Sequence, residues 1–329
     1  MNRRETLAAL LVLCAAAGPL RAQAPAQPGR PVRIGMLTTT SQAGYRIQEK
    51  IFVNAMRELG WVEGRNVVYD RVYADDDEAR LPALAKALVS RSPDLIHVIN
   101  NPTALAALAQ TRTIPIVMGA SIDPVAYGLV KSLARPGGNV TGIVNIGMEL
   151  GPKRLQLLKE ALPKLSRVGV LVHPLWPPSL REQKLIEQAA PTLGVAVSPL
   201  SVNQPTDLEA AFALAAKNRV DAVLTTHVAP FLDLRKRLLE LAARQRIPVV
   251  GHRGELAEDG ALIAYGSILA DQIRRSVQQV DKVLKGAKPA DLPVEQPTKF
   301  EIVVNLRTAK VLGVMIPQAF LARADRVIE

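Results

Sequence analysis

One cysteine in 329 residues, Cys14, removes several chemistries at once. Disulfide scaffolds, iron–sulfur clusters and cysteine-ligated zinc all need more thiols. Histidine is scarce as well. His97, His173, His227 and His252 stand far apart with no HxxH pair, so no dedicated metal site is expected. Aromatic residues make up 4% of the chain, which speaks against a base-stacking nucleic-acid platform. There is no GxSxG elbow, no P-loop, and no GxGxxG after the first strand. Arg135-Pro-Gly-Gly-Asn139 is glycine-rich but runs into a strand, so it reads as a turn and not a phosphate cradle. These absences argue against an enzyme, and no cofactor is expected.

Long apolar runs are also missing. The longest, Leu7 to Leu20, is too short to span a bilayer. It follows the basic Asn2-Arg3-Arg4 and precedes the small residues Ala22, Ala24 and Ala26. Residues 1–26 therefore read as a secretory signal peptide, cut after Ala26 or Ala22, with the Sec or the twin-arginine route open. Export places the mature chain in the periplasm and removes Cys14. The net charge of +11 falls by two with the leader, which carries Arg3, Arg4 and Arg21 against Glu5. The remaining basic residues are scattered, with no recognition arm, so no nucleic-acid partner is expected.

What is present is a rhythm. Continuous Val/Ile/Leu runs recur at Val32–Leu37, Asn66–Val72, Leu95–Ile99, Ile114–Met118 and Val140–Ile143, then at Val168–Val172, Val195–Leu200, Ala222–Leu224, Ile247–Val250 and Ala261–Ala264. Strands buried on both faces need such runs, and helices supply the cover. Helical segments lie between them, among them Gln48–Leu59, Arg80–Ser90, Pro102–Gln110, Ser179–Leu193, Phe231–Arg246 and Asp271–Lys285. The expected fold is α/β: two doubly wound parallel-sheet lobes with an interlobe cleft. Lobe 1 is expected over residues 31–146 plus about 268–297, and lobe 2 over 147–267 plus about 298–329.

In such folds ligands meet the carboxyl ends of strands. In the first half these ends carry Thr39-Thr40-Ser41, Asn101-Pro102-Thr103, Ser121 with Asp123, and Asn145. Asn101 with Pro102 reads as an N-cap and N1 pair, and the helix start as a seat for a ligand carboxylate. Asp123 either forms a turn or receives an ammonium group. In the second half Trp176, His227, His252 and Tyr265 follow strands, each either packing or closing on a ligand. Asp75-Asp-Asp-Glu78 precedes a helix and reads as its cap, with calcium as an alternative.

Several segments resemble the tryptophan/tyrosine-type substrate-binding family of ABC transporters, which has the type I periplasmic-binding fold. They are Glu58-Leu-Gly-Trp-Val-Glu-Gly-Arg-Asn66, Leu81-Pro-Ala-Leu-Ala85, Asp123-Pro-Val-Ala-Tyr-Gly-Leu-Val130, Leu133-Ala-Arg-Pro-Gly-Gly-Asn-Val-Thr-Gly142 and Pro293-Val-Glu-Gln-Pro-Thr-Lys-Phe-Glu-Ile302. The resemblance covers residues 31–329. It implies a receptor that binds a small carboxylate-bearing or polar organic molecule, such as an amino acid. The receptor closes its lobes over that molecule and, as a monomer, serves an ABC permease in the inner membrane. Carried over by motif, the contacts are Thr39–Ser41, Asn101–Thr103, Asp123 and the Tyr265-Gly266 turn. His173-Pro174 and Thr226-His227 depart from the family pattern. A ligand-sensing partner of a membrane signalling protein and an exported α/β enzyme stay open as alternatives.

Overall fold

The computed structural model describes residues 30–329; the leader and Cys14 lie outside the described residues. The first half runs β1 (Val32–Thr38), α1 (Gln42–Glu58), β2 (Val67–Tyr73), α2 (Leu81–Ser90), β3 (Leu95–Val98), α3 (Asn101–Gln110), β4 (Ile116–Ser121) and β5 (Val140–Val144). The second runs α4 (Gly151–Ala161), β6 (Arg167–Val172), α5 (Pro177–Ala189), β7 (Ala196–Ser201), α6 (Asp207–Lys217), β8 (Ala222–Thr225), α7 (Ala229–Asp233), α8 (Arg235–Gln245), β9 (Val249–Gly251), α9 (Gly254–Glu258) and β10 (Ile263–Ser267). The remainder is α10 (Leu269–Leu284), β11 (Phe300–Asn305), α11 (Leu306–Leu312), α12 (Gln318–Leu321) and β12 (Arg326–Ile328).

The strands form two sheets. One is wholly parallel, in the order β2-β1-β3-β4-β5. The other has the order β12-β11-β10-β9-β8-β6-β7. It is mixed, because β11 runs antiparallel to β10 and β12 follows β11. The continuous apolar runs have a physical reason that β3 displays. Leu95 joins the core under α1 and α10, Ile96 and Val98 join the core under α2 and α3, and His97 packs its ring against Phe52 of α1. A strand with helices on both sides has no face to leave polar.

The chain passes between the sheets three times. It leaves the first after β5, since α4 packs on α5 and β10. It returns after β10, since α10 lies on α1, β4 and β5. It leaves again through residues 293–299 into β11. On this last passage Glu295 pairs with the edge of β5, through Val144 N–H to Glu295 O at 2.9 Å and Glu295 N–H to Gly142 O at 2.9 Å.

Candidate functional site

The carboxyl ends of the two sheets meet. Just past β5, Asn145 donates from Nδ2 to Nε2 of His227, just past β8, at 3.0 Å. Past β4, the Asp123 carboxylate receives the Arg181 guanidinium of α5 at 2.9 Å. Between these elements lies a cavity of about 280 Å³. One wall is the start of α3 with Ile122 and Tyr127; the other is Leu175–Pro178, the entry to α5. Four large apolar side chains that water still reaches stand on these walls: Leu105 (39% exposed), Tyr127 (41%), Leu175 (76%) and Trp176 (36%). An apolar concentration of this kind makes the cavity a candidate interaction site.

The residues singled out from the sequence gather along this edge, but most of their polar atoms face inward. Asn100, not Asn101, caps α3: its side chain accepts from Thr103 N–H at 3.2 Å, and Thr103 Oγ1 accepts from Asn100 N–H at 3.2 Å. This reciprocal box needs the hydroxyl of Thr103, which is fully buried. Asn101 instead holds the end of β4. It donates to Ile122 O at 2.6 Å and accepts from Ser121 Oγ at 2.6 Å and Ile122 N–H at 2.8 Å. Thr39 Oγ1 accepts from Asn100 Nδ2 at 3.1 Å, Thr40 pairs with Thr38 at 3.1 Å, and Ser41 caps α1 through Gly44 N–H at 3.3 Å. Asp123 takes a left-handed backbone, φ 44°, and also accepts from Ala126 N–H at 3.3 Å. Tyr265 packs on the core of the second sheet, 6.1 Å from the Phe300 ring. Only Asn101 and Trp176 of these candidates reach the cavity wall.

Two residues that the sequence did not single out organise the second wall. Arg154 of α4 and Glu182 of α5 form an ion pair with both side chains almost wholly buried. Arg154 also donates to Gly147 O at 2.9 Å and to Tyr265 O at 3.4 Å, while Glu182 accepts the His227 N–H at 2.6 Å. The pair thus ties together the β5–α4 passage, the end of β10 and the loop after β8. Gly147 has to be glycine here, because a Cβ would stand 2.3 Å from His227 Nδ1. His227 and His252 rings meet edge to face at 4.8 Å, and His252 Nδ1 pairs with Thr225 Oγ1 at 3.0 Å. A sequence signal for the ion pair existed. Arg154 lies three, four and seven residues before Leu157, Leu158 and Ala161, so it shares their buried face. Glu182 likewise lies four before Ile186.

Burial lowers His97 and His227 to about 3 and takes His252 well below its ordinary value, with nearby positive charge adding to the effect on the last two. Burial raises Glu182 to about 7 against the opposing pull of Arg154 and the His227 amide. The signs predict a pH profile. The three histidines are neutral when folded but protonate near 6.5 when unfolded. The stability they contribute is therefore complete above about pH 6.5 and lost as pH falls toward 3. Glu182 works the other way: its contribution shrinks as pH rises from its unfolded value, 4.5, to about 7. Three groups outweigh one, so unfolding near pH 5.5 takes up about two protons. Stability rises between pH 4.5 and 6.5 by roughly 2–3 kcal/mol per unit at most. Melting temperatures across that range check this; a flat profile refutes it.

A larger cavity, about 510 Å³, lies between α8 and α11. It sits at the amino ends of β9 and β10, and only the second sheet's elements wall it. The acidic run acts as a local cap, with Asp77 accepting from Ala79 N–H at 3.0 Å, and Arg253 pairs with Glu255. Among the described residues no group of three or more His, Cys, Asp or Glu side chains is placed to hold a metal, and no helix is long and apolar enough to cross a membrane.

Comparison with known proteins agrees with this architecture. A tyrosine-binding protein of Clostridioides difficile (strain R20291) is 28% identical over 265 residues, 80% of this chain and 76% of that protein. The structure of an ABC domain from Streptococcus pneumonia in complex with L-Trp superposes with a TM-score of 0.81 at 25% identity, covering 91% of this chain and all of that one. The ligand-free, open structure of a substrate binding protein with adhesive properties from Clostridium difficile gives 0.71 at 26% identity, covering 90% and 99%. Residues 33–328 match the model of the family described as ABC transporter substrate binding protein. With two α/β lobes meeting at their strand ends and a match along nearly the whole described length, the chain belongs to this family, whose members bind solutes and are not enzymes.

Proposed function

We propose that this chain is the extracytoplasmic receptor of an ABC importer: it closes two lobes over a small organic solute and delivers it unchanged to an inner-membrane permease. The observation that carries the reading is the cavity between the strand ends, walled by the first sheet's loops on one side and by Leu175–Pro178 on the other. A solute that touches both walls binds the closed form better than the open one, and that difference drives closure. The lobes are residues 31–146 with about 268–297, and 147–267 with about 298–329, and residues 1–26 direct export. A single copy supplies both walls, which supports a monomeric working unit.

Two further observations support a closed arrangement here. Asp123–Arg181 and Asn145–His227 bridge the cleft. At nearly equal identity, the superposition is better on the L-Trp complex (0.81) than on the ligand-free, open structure (0.71). The relatives' tyrosine and tryptophan point to a solute of aromatic amino-acid size, and the exposed faces of Trp176 and Tyr127 suit a flat ring.

The test is a thermal-shift screen of the purified protein against amino acids, amines, carboxylates and sugars. A solute at a hundred times its Kd stabilises by about 2.7 kcal/mol. Trp176→Ala is expected to weaken the best binder by about 2 kcal/mol, roughly thirtyfold in Kd. A shift that Trp176→Ala leaves intact places the solute elsewhere and overturns the assignment of this cavity.

A further inference from the structure

The chemistry of the walls limits which end of a solute they can receive, an inference that rests on the reading of the cavity just given. Two helices, α3 and α5, open onto it, and free N–H groups there would favour an anion. Apart from the Asn101 backbone N–H, those groups are missing or used. Pro102, Pro177 and Pro178 have no N–H, Thr103 N–H goes to the Asn100 side chain at 3.2 Å, and Ser179 N–H goes to Trp176 O at 2.9 Å. The Asn101 side chain is bound to Ile122 and Ser121. Arg181, the cation close by, is answered by Asp123 at 2.9 Å.

One charged side chain lines the cavity, Glu78, and its carboxylate has no hydrogen-bond or ion-pair partner among the described residues. Beside it stand two aromatic faces, Tyr127 and Trp176, one from each side of the cleft. Aromatic faces attract cations, and a carboxylate accepts ammonium hydrogen bonds. A solute carboxylate, by contrast, would lie on largely apolar and proline surface beside Glu78, with like charge next to it and no cation among the lining residues to neutralise it.

We propose that the cleft selects an arylalkylamine, a flat aromatic body carrying a primary ammonium and no carboxylate, with Glu78 receiving the ammonium and Trp176 and Tyr127 enclosing the ring.

The test is calorimetric titration of the purified protein with tyramine and tryptamine against L-tyrosine and L-tryptophan. The amines are expected to bind at least about tenfold tighter than the corresponding amino acids. Glu78→Gln is expected to weaken the tighter amine about threefold to tenfold and to flatten its salt dependence. Amino acids that bind as tightly as the amines overturn the proposal, as does a Glu78→Gln protein with unchanged amine affinity, or failure of both amines to bind. The receptor reading fails separately. A different solute whose binding needs Trp176 would leave the receptor standing and remove only the amine preference. Loss of every Trp176-dependent response in the screen would remove both.

Discussion

Replacing Glu182 by alanine is expected to cost about 3–5 kcal/mol of folding stability in chemical denaturation at pH 8. The loss comes from what remains behind. Arg154 is fully buried, and Glu182 is its one ion-pair partner among the described residues; two of its remaining partners are the carbonyls of Gly147 and Tyr265. The His227 N–H also loses the acceptor it holds at 2.6 Å. The pair is not in itself a large net source of stability, since desolvating both ions offsets most of their attraction. A double change, Arg154→Met with Glu182→Leu, should therefore recover much of what Glu182→Ala loses. A Glu182→Ala protein within 1 kcal/mol of the parent, on the order of an exposed pair's contribution, would show that water or another side chain reaches Arg154.

Gly142→Ala should do at least as much harm. Its φ is +136°, outside what a side chain tolerates, and a Cβ would lie 2.2 Å from Met118 O and 2.4 Å from Met118 N on the neighbouring strand. Neither atom can move without breaking the β4–β5 pairing, so backbone strain and overpacking add to roughly 3–6 kcal/mol. Gly138→Ala provides the contrast four residues away. A Cβ there meets nothing within 4 Å and φ is not positive, so its effect should stay within about 0.5 kcal/mol. Soluble yield and melting temperature of the two variants compare them directly; equal behaviour would mean that β4 and β5 are not paired as described.

The α/β class, the division into two sheets and most strand positions were legible because continuous Val/Ile/Leu runs mark burial on both faces. Strand direction is not written in such runs, so the antiparallel β11 came only from the structure. Short elements carry too few residues to show a period, which hides α9, α12 and the three-residue β12. The helix α1 begins at Gln42, six residues before its apolar periodicity starts, because Ser41 fixes its first turn through a hydrogen bond. The span Phe231–Arg246 breaks at Leu234 into α7 and α8 with no proline or glycine to announce it.

The candidate site was legible as an edge and not as a set of contacts. Asn101, Thr103 and Ser121 are at the strand ends where the rhythm places them, but a sequence does not show which polar atoms the loops themselves will use. The Asn100-Asn101-Pro102 string offered two possible caps, and the capping box with Thr103 selected the first. Trp176 was visible as a large aromatic after a strand. Arg154 and Glu182 were not singled out, although each sits on an apolar helical stripe.

The helix α10 ties the making of one half to the other. Its Val277, Val280 and Val283 share a core with Ile34, Met36, Leu95 and Val117 of the first sheet. A nascent chain that has emerged only as far as residue 146 therefore covers that flank of the sheet with α1 alone, and must wait for the whole second half to be synthesised before α10 completes the cover. Final compaction of the first half is therefore expected to lag behind its own synthesis and to coincide with that of the second.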